Sequence, residues 1–361
     1  RCRPGVGGFP ASSGKGGSLP FDVAGHTLEH ALSVVETPVL VTGATGFVGS
    51  HFVETLATAG ARVRALVRRT SDVSGLERLG VERVVGGLDD EAALARAVDG
   101  VDVVYHLAAA TRARSAAEFE RINADGTRAL ARAIAAAARP PRRLVYLSSL
   151  AAAGPAIDGR PVDATDTPRP LTAYGRSKLA GERVCLELDG AVEVVVLRPP
   201  AVYGPRDREM LRLFRLAARG IFPVPTGPER PTQLIHVTDL ARAILAAGQT
   251  PGLRGIHHAA ESRAYGWAEV AGLFERALGR RVRRLPIPHA VMHVAGALSE
   301  AGASISGRPT LFNRDKVREL LAPGWLCETE SLRRATGFEA RIALAEGLAQ
   351  TARWYRERGW I

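Results

Sequence analysis

Lysine, cysteine and long apolar runs are the scarce features of this 361-residue chain. Only Lys15, Lys178 and Lys316 are lysine, so the 48 basic residues are nearly all arginine. They are spread along the chain, with no dense basic block and no basic-plus-aromatic module. The net charge of +11 therefore reads as a solvated basic surface with a weak pull on anionic ligands or peripheral membrane contacts, and no nucleic-acid partner is expected. Cys2, Cys185 and Cys327 are odd in number and far apart, which excludes a disulfide framework or cysteine zinc site and suggests a reducing, cytoplasmic setting. No apolar run reaches the 18–20 or so residues that a spanning helix needs. The nearest approach, Ile287 to Ile305, is interrupted by His289, His293, Ser299 and Glu300 and reads as a packed or interfacial helix.

Residues 1–37 are dense in Gly, Pro and Ser and lack periodicity, so disorder is expected there. The stretch reads as a targeting remnant, a scar of expression or an extended reading frame, outside the fold proper.

From Pro38 onward, apolar strands alternate with helices. Strands are expected at 39–41, 62–67, 101–107, 143–147 and 192–197, and helices at 49–59, 91–98, 118–138 and 171–188. Near-continuous apolar strands between helices imply an α/β fold, a doubly wound parallel sheet covered on both faces. After Arg198 the rhythm loosens into proline-rich loops, a helix at 208–218, a short strand at 233–236, a helix at 239–247 and further helices. The expected organisation is a dinucleotide-binding domain over 38–200 and a smaller, mainly substrate-binding lobe over 201–361, with some segments returning to the first domain.

The stretch TGATGFVGSH at 42–51 places Gly43, Gly46 and Gly49 on a step from buried strand to helix. In that context the glycines allow a tight turn and bring backbone N–H groups to a pyrophosphate at the positive end of the helix. The second strand ends in Val67-Arg68-Arg69-Thr70-Ser71, with no acid before Asp72. Two guanidiniums can fork onto a ribose 2′-phosphate, which favours NADP over NAD. Tyr174 and Lys178, at i and i+4, share a helix face, and an ammonium beside a phenol favours its ionisation. His257 and His258 would point to opposite faces of a strand, and no histidine set has metal-ligand spacing, so no metal is expected.

Taken together, TGATGFVG, HLAA at 106–109, RINADGTRAL at 121–130, VYLSSL at 145–150, YGRSK at 174–178, RPPAVYGPRD at 198–207 and IHVTDLARAI at 235–244 resemble the extended short-chain dehydrogenases/reductases, the NAD-dependent epimerase/dehydratase family. The resemblance covers roughly residues 38–360. It implies a Rossmann fold and a cofactor held by Gly43, Thr45, Gly46, Phe47, Val48, Gly49, Leu107, Ala108, Ala109, Tyr174, Lys178, Arg198, Pro199 and Val202, beside Arg68 and Arg69. It implies catalysis by Ser149 (with Ser148 the less favoured neighbour), Tyr174 and Lys178, with Asn123 holding a water–lysine relay, and a homodimer through the two long helices. One departure stands out. The family's usual Asp before the adenine is Gly87 here, which leaves backbone groups or Asp89 for that task.

Three activities share such a scaffold: an alcohol/ketone oxidoreductase, a nucleotide-sugar epimerase and a non-catalytic NAD(P) sensor. The complete Ser149, Tyr174 and Lys178 set disfavours the sensor. Leu150-Ala151-Ala152 replaces the acidic pair of a sugar dehydratase, and Thr232 stands where an arginine often grips a sugar diphosphate. Arg230 lies two positions earlier, and Arg206, Arg212 and Arg215 could still supply that charge. The stretches YLSSLAAAGP and RPTLFNRDKVREL look more like the 3β-hydroxysteroid dehydrogenase and dihydroflavonol reductase side, which implies an apolar substrate.

Overall fold

The computed structural model describes residues 38–306, Thr310 and residues 312–361. The expectation of disorder over 1–37 lies outside the described residues. The first half runs β1 (Val39–Thr42), α1 (Phe47–Thr58), β2 (Val63–Val67), α2 (Ser74–Arg78), β3 (Glu82–Val85), α3 (Glu91–Val98) and β4 (Val103–His106). Next come α4 (Ala116–Glu120), a π-helical turn at Arg121–Asp125, α5 (Gly126–Ala135), β5 (Arg143–Leu147), α6 (Leu150–Ala153), α7 (Ala173–Leu186) and β6 (Glu193–Arg198).

The second half runs β7 (Ala201–Tyr203), α8 (Met210–Ala218), β8 (Ile221–Pro225), β9 (Leu234–His236), α9 (Val237–Gln249) and β10 (Gly255–His258). It ends with α10 (Trp267–Leu278), β11 (Arg283–Ile287), α11 (His289–Ser306), α12 (Arg314–Leu321), α13 (Glu330–Thr336) and α14 (Leu344–Glu357).

Seven strands form one parallel sheet in the order β10-β6-β5-β4-β1-β2-β3. Successive strand residues point to opposite faces, and both faces are packed. Val39, Val41, Val103, Tyr105, Val145 and Val195 meet Phe52 and Leu56 of α1 and Leu240 and Ile244 of α9. Leu40, Val104, Leu144, Tyr146, Val194 and Val196 meet Leu94, Leu130, Ile134 and Cys185 from α3, α5 and α7. The doubly wound Rossmann architecture follows from this two-sided burial.

A third core gathers Phe214, Phe222, Phe274, Leu344, Leu348 and Tyr355 from the second half of the chain. That half is divided, since α9 covers the sheet and β10 extends it, while α8, α10 and α14 build the third core.

Several elements depart from the sequence expectation. The strand β3 and the helix α2 were not anticipated, because β3 is an edge strand whose residues are mostly exposed and so carries little apolar signal. The expected helix at 118–138 starts earlier, ends at Ala135 and contains the π-helical turn. Helix α1 begins at Phe47, because Gly46 rather than a residue further on serves as its cap. No described helix is long and apolar enough to cross a membrane.

Candidate active site

Strand order reverses between β1 and β4, and the crevice beyond their C-terminal ends is where such folds bind ligands. The loop after β1 shows why glycine is needed there. Gly43 has φ +75°, and a Cβ on it would sit 2.7 Å from the Ala108 nitrogen of the loop after β4. A Cβ on Gly49 would lie 2.0 Å from the Gly43 carbonyl oxygen. Gly46 opens α1 with no side-chain cap, which leaves the first N–H groups of the helix, from Phe47 onward, facing the crevice end of the loop. This is a cradle that side chains would fill, and it fits the pyrophosphate of a dinucleotide.

The two strand ends are tied together by a histidine. His106 bonds Thr42 Oγ1 at 2.7 Å and Thr127 Oγ1 at 2.9 Å, and the Ala108 N–H donates to Thr42 Oγ1 at 3.2 Å. Burial, and then the charge of Lys178, lower the His106 pKa to about 3, so the ring is neutral. The sequence pointed to His106 only by resemblance, and its bonding to two threonines was not foreseen.

At the far end of the crevice, Arg68, Arg69, Gly86, Gly87, Asp89, Asp90 and Glu91 line an open cleft of about 710 Å³. A Cβ on Gly87 would meet Asp89 Oδ1 at 2.1 Å, so the Asp89 carboxylate occupies the space that a side chain at position 87 would take.

The candidate catalytic side chains gather where α6 meets α7. Ser149 caps α6, its Oγ accepting from the Ala151 N–H at 3.2 Å. Thr172 caps α7 by accepting from the Gly175 N–H at 3.0 Å. A Cβ on Gly175 would lie 2.2 Å from the Ala151 carbonyl oxygen, so glycine lets the two helix starts touch. The Ser149 hydroxyl lies beside the Tyr174 phenol and favours its ionised form. Burial raises the Tyr174 pKa, the Ser149 hydroxyl opposes the rise, and Glu209 and Glu319 add to it. One turn on, the buried Lys178 ammonium lies 4.1 Å above the Tyr146 ring. Burial lowers its pKa to about 8, against the pull of Cys185 and Glu182.

Asn123 sits in the π-helical turn. Its Oδ1 accepts from the Ala110 N–H at 2.7 Å, and its Nδ2 donates to the Ala110 carbonyl at 3.0 Å and to Ser177 Oγ at 2.9 Å. The side chain thus ties the loop after β4 to α7 beside Lys178. The extra residue of a π turn commonly re-aims a side chain at a functional position.

The adjacent serines have different partners. Ser148 Oγ donates to Glu182, which also holds Arg198 through bonds of 2.8 and 2.6 Å. Arg198 and Glu182 are both 1% exposed. Glu182 thus holds Nε and Nη2 of the buried Arg198 side chain beneath the crevice, while Nη1 has no hydrogen-bond partner among the described residues. The Pro199 carbonyl accepts from the Leu150 N–H at 2.7 Å, and Val202 is half-buried in β7.

Around Tyr174 stand residues the motifs did not reveal. The Phe119 ring is 5.8 Å from that of Tyr174, Arg112 pairs with Glu209 at 3.4 Å, and Asp315 accepts from the Ala173 N–H at 2.8 Å. The arginines considered for a sugar diphosphate are mostly occupied. Arg230 is buried and donates to the carbonyls of Leu321, Thr226 and Pro228. Arg206 binds Ser50 and Glu54 of α1, and Arg215 donates to the Trp360 carbonyl. His257 bonds Ser331 Oγ and the Arg254 carbonyl, and the described residues contain no cluster suited to a metal ion.

A parallel Rossmann sheet, a glycine cradle and a Ser–Tyr–Lys set define a nicotinamide-dependent enzyme class. The family model for the NAD dependent epimerase/dehydratase family matches residues 39–257, and the chain belongs to that family. It is similar to the ceramide reductase of Caulobacter vibrioides, with 37% identity over 326 residues, covering 90% of this chain and 96% of the relative. It is also similar to sterol demethylase protein B of Methylococcus capsulatus, with 32% identity covering 89% of this chain and 99% of the relative. Among solved structures, MoeE5 in complex with UDP-glucose and NAD superposes with a TM-score of 0.70 and 28% identity, covering 89% of this chain and 99% of that one. The protein is an enzyme of the extended short-chain dehydrogenase/reductase type.

Proposed function

We propose that the enzyme is an NADP(H)-dependent oxidoreductase that interconverts a secondary alcohol and a ketone on an apolar, lipid-like substrate. The observation that carries this reading is Ser149 placed beside Tyr174, with Lys178 one turn on along the same helix, at a crevice whose candidate diphosphate arginines are mostly tied to the protein. The names of the ceramide reductase and sterol demethylase relatives support an apolar substrate.

Gly43, Thr45, Gly46, Phe47, Val48 and Gly49 would hold the pyrophosphate, with Leu107, Ala108 and Ala109 along the nicotinamide side. Lys178 would hold the ribose, and Arg68 and Arg69 would take the 2′-phosphate, with Asp89 serving the adenine in place of an acid at Gly87. The bound nicotinamide supplies or accepts the hydride. Tyr174 Oη then gives a proton to the carbonyl oxygen, or takes one from the alcohol, while Ser149 Oγ donates a hydrogen bond to that oxygen. Without a nearby cation the phenol is a weak acid–base group, and the Lys178 ammonium one turn away favours the phenolate. Asn123 is a positioning residue that fixes Ala110 and Ser177. A homodimer through α5 and α7 belongs to the same proposal and is tested by the molar mass in solution.

The test is a screen of lipid ketones and sterols beside UDP- and GDP-sugars. Net NADPH oxidation with a lipid ketone supports the reading, whereas inversion of a sugar without net cofactor change would refute it in favour of an epimerase. Tyr174→Phe should bind cofactor yet lose turnover. Replacing Arg68 and Arg69 with serine should weaken NADPH binding by at least about tenfold and leave NADH unaffected, as expected for loss of charge-assisted bonds to a phosphate.

A further inference from the structure

The basic residues are less evenly spread than the sequence reading held. RRVRR at 280–284 leads into β11, and Arg280, Arg281, Arg283 and Arg284 are all exposed. Arg263 and Arg318 pair with Glu269 and Asp315, but none of these four has a carboxylate partner among the described residues. Arg283 and Leu285 alternate onto the same side of β11, and Arg283 is in register with Ile221 of β8.

The helix that follows is apolar on two sides. Inward, Met292 is buried, and a Cβ on Gly296 would lie 2.9 Å from Val317 of α12. Outward, Val291, Val294 and Leu298 are 53, 59 and 69% exposed, the three highest values among the large apolar residues described. Their spacing of three and four makes one stripe along the helix. Of nine exposed large apolar residues described, five (Ile221, Leu285, Val291, Val294 and Leu298) fall in this β8–β11–α11 region. Glu300, the one acid of α11, is half-buried and turned toward Arg314 at 3.9 Å. The outward stripe therefore carries no carboxylate.

We propose that β11 and α11 form a docking surface for an anionic lipid bilayer, with Val291, Val294 and Leu298 entering the interface and Arg280, Arg281, Arg283 and Arg284 meeting lipid phosphates. An exposed apolar stripe beside a cluster of guanidiniums that no carboxylate neutralises, of which Arg280 also donates to the Ala218 carbonyl, matches the two attractions that hold a helix in a headgroup layer. A second copy of the chain is a poorer occupant, because a two-fold contact through this face would set arginine against arginine. The surface is close to the active site through the chain, since α12 packs along α11 and its Asp315 binds the residue before Tyr174. It stands independently of the substrate assignment, because none of its residues belongs to the catalytic or cofactor set.

The experiment is flotation of the whole protein with vesicles of phosphatidylcholine alone and of phosphatidylcholine mixed with phosphatidylglycerol. The wild type should float with the anionic vesicles, less so as salt is raised, and not with the neutral ones. The V294E/L298E and R283E/R284E variants should each lower partitioning at least about tenfold, with thermal melts unchanged. The proposal is overturned if the wild type does not float, floats equally with neutral vesicles, or if either variant floats as the wild type does. It is also overturned if V294E/L298E turns a dimer into a monomer while the wild type fails to bind vesicles, since a second copy then covers the face.

Discussion

Replacing Lys178 with methionine should make the cofactor-free enzyme more stable and inactive. Lys178 is 1% exposed, and burial lowers its pKa from 10.5 to about 8. Between those two values the unfolded chain holds a proton that the folded chain releases, so wild-type stability rises with pH across that window. Below it, holding the ammonium in the folded protein costs about 3 kcal/mol. Methionine fills a similar volume without that cost. It also gives up the contact of the ammonium with the Tyr146 ring at 4.1 Å, worth about 1–2 kcal/mol when desolvated. The expected net gain is about 1–2 kcal/mol near neutral pH, and it should shrink as pH rises above about 8. Urea unfolding of both proteins without cofactor, repeated across that range, reads the difference. A Lys178→Met protein that is less stable than the wild type, or a difference that does not change with pH, would refute the reasoning. It would mean that the ammonium is well solvated by its surroundings and that the lysine is a structural group.

Other outcomes follow from the same contacts. His106, His236 and His258 are buried and held neutral, with pKa values lowered to about 3, 4 and 4. The unfolded chain protonates them first, so stability should fall on acidification below pH 6.5 by about 2 kcal/mol per histidine at about pH 5. Asp207, raised to about 6 by burial, works in the opposite direction, and thermal melts against pH would read the net loss. Glu182→Ala leaves the Arg198 guanidinium buried without its carboxylate and should cost about 3–5 kcal/mol, much of it recovered in Glu182→Leu/Arg198→Met, as chemical unfolding would show. Gly49→Ala should abolish dinucleotide binding in a titration, since its Cβ would overlap the Gly43 carbonyl. Gly75→Ala, whose Cβ has no neighbour nearer than 3.9 Å, should bind as the wild type does.

Much of the candidate site could be read from local pattern, because the proposed chemistry depends on short spacings. Gly43, Gly46 and Gly49 are consecutive demands of one strand-to-helix step, and Tyr174 and Lys178 are neighbours on one helix face whatever surrounds them. The choice between Ser148 and Ser149 was narrower, since both follow the same strand, and it rests on which hydroxyl meets Tyr174 and which meets Glu182. The edge strand β3 left little trace, because a strand exposed on both sides needs no apolar run.

The amino-acid sequence alone determined the parallel sheet, the dinucleotide cradle and the Ser–Tyr–Lys set, since strand burial, glycine at a tight turn and helical spacing are properties of contiguous residues. Only the tertiary structure decided that Asp89 fills the space beside Gly87, that Asn123 binds Ala110 across a π turn, and that Arg198, Arg206 and Arg230 are held within the protein. An arginine carries the same charge in the sequence whether it meets a ligand or a buried glutamate. Which partner it finds depends on segments tens to hundreds of residues away, and only the folded chain brings them within hydrogen-bond reach.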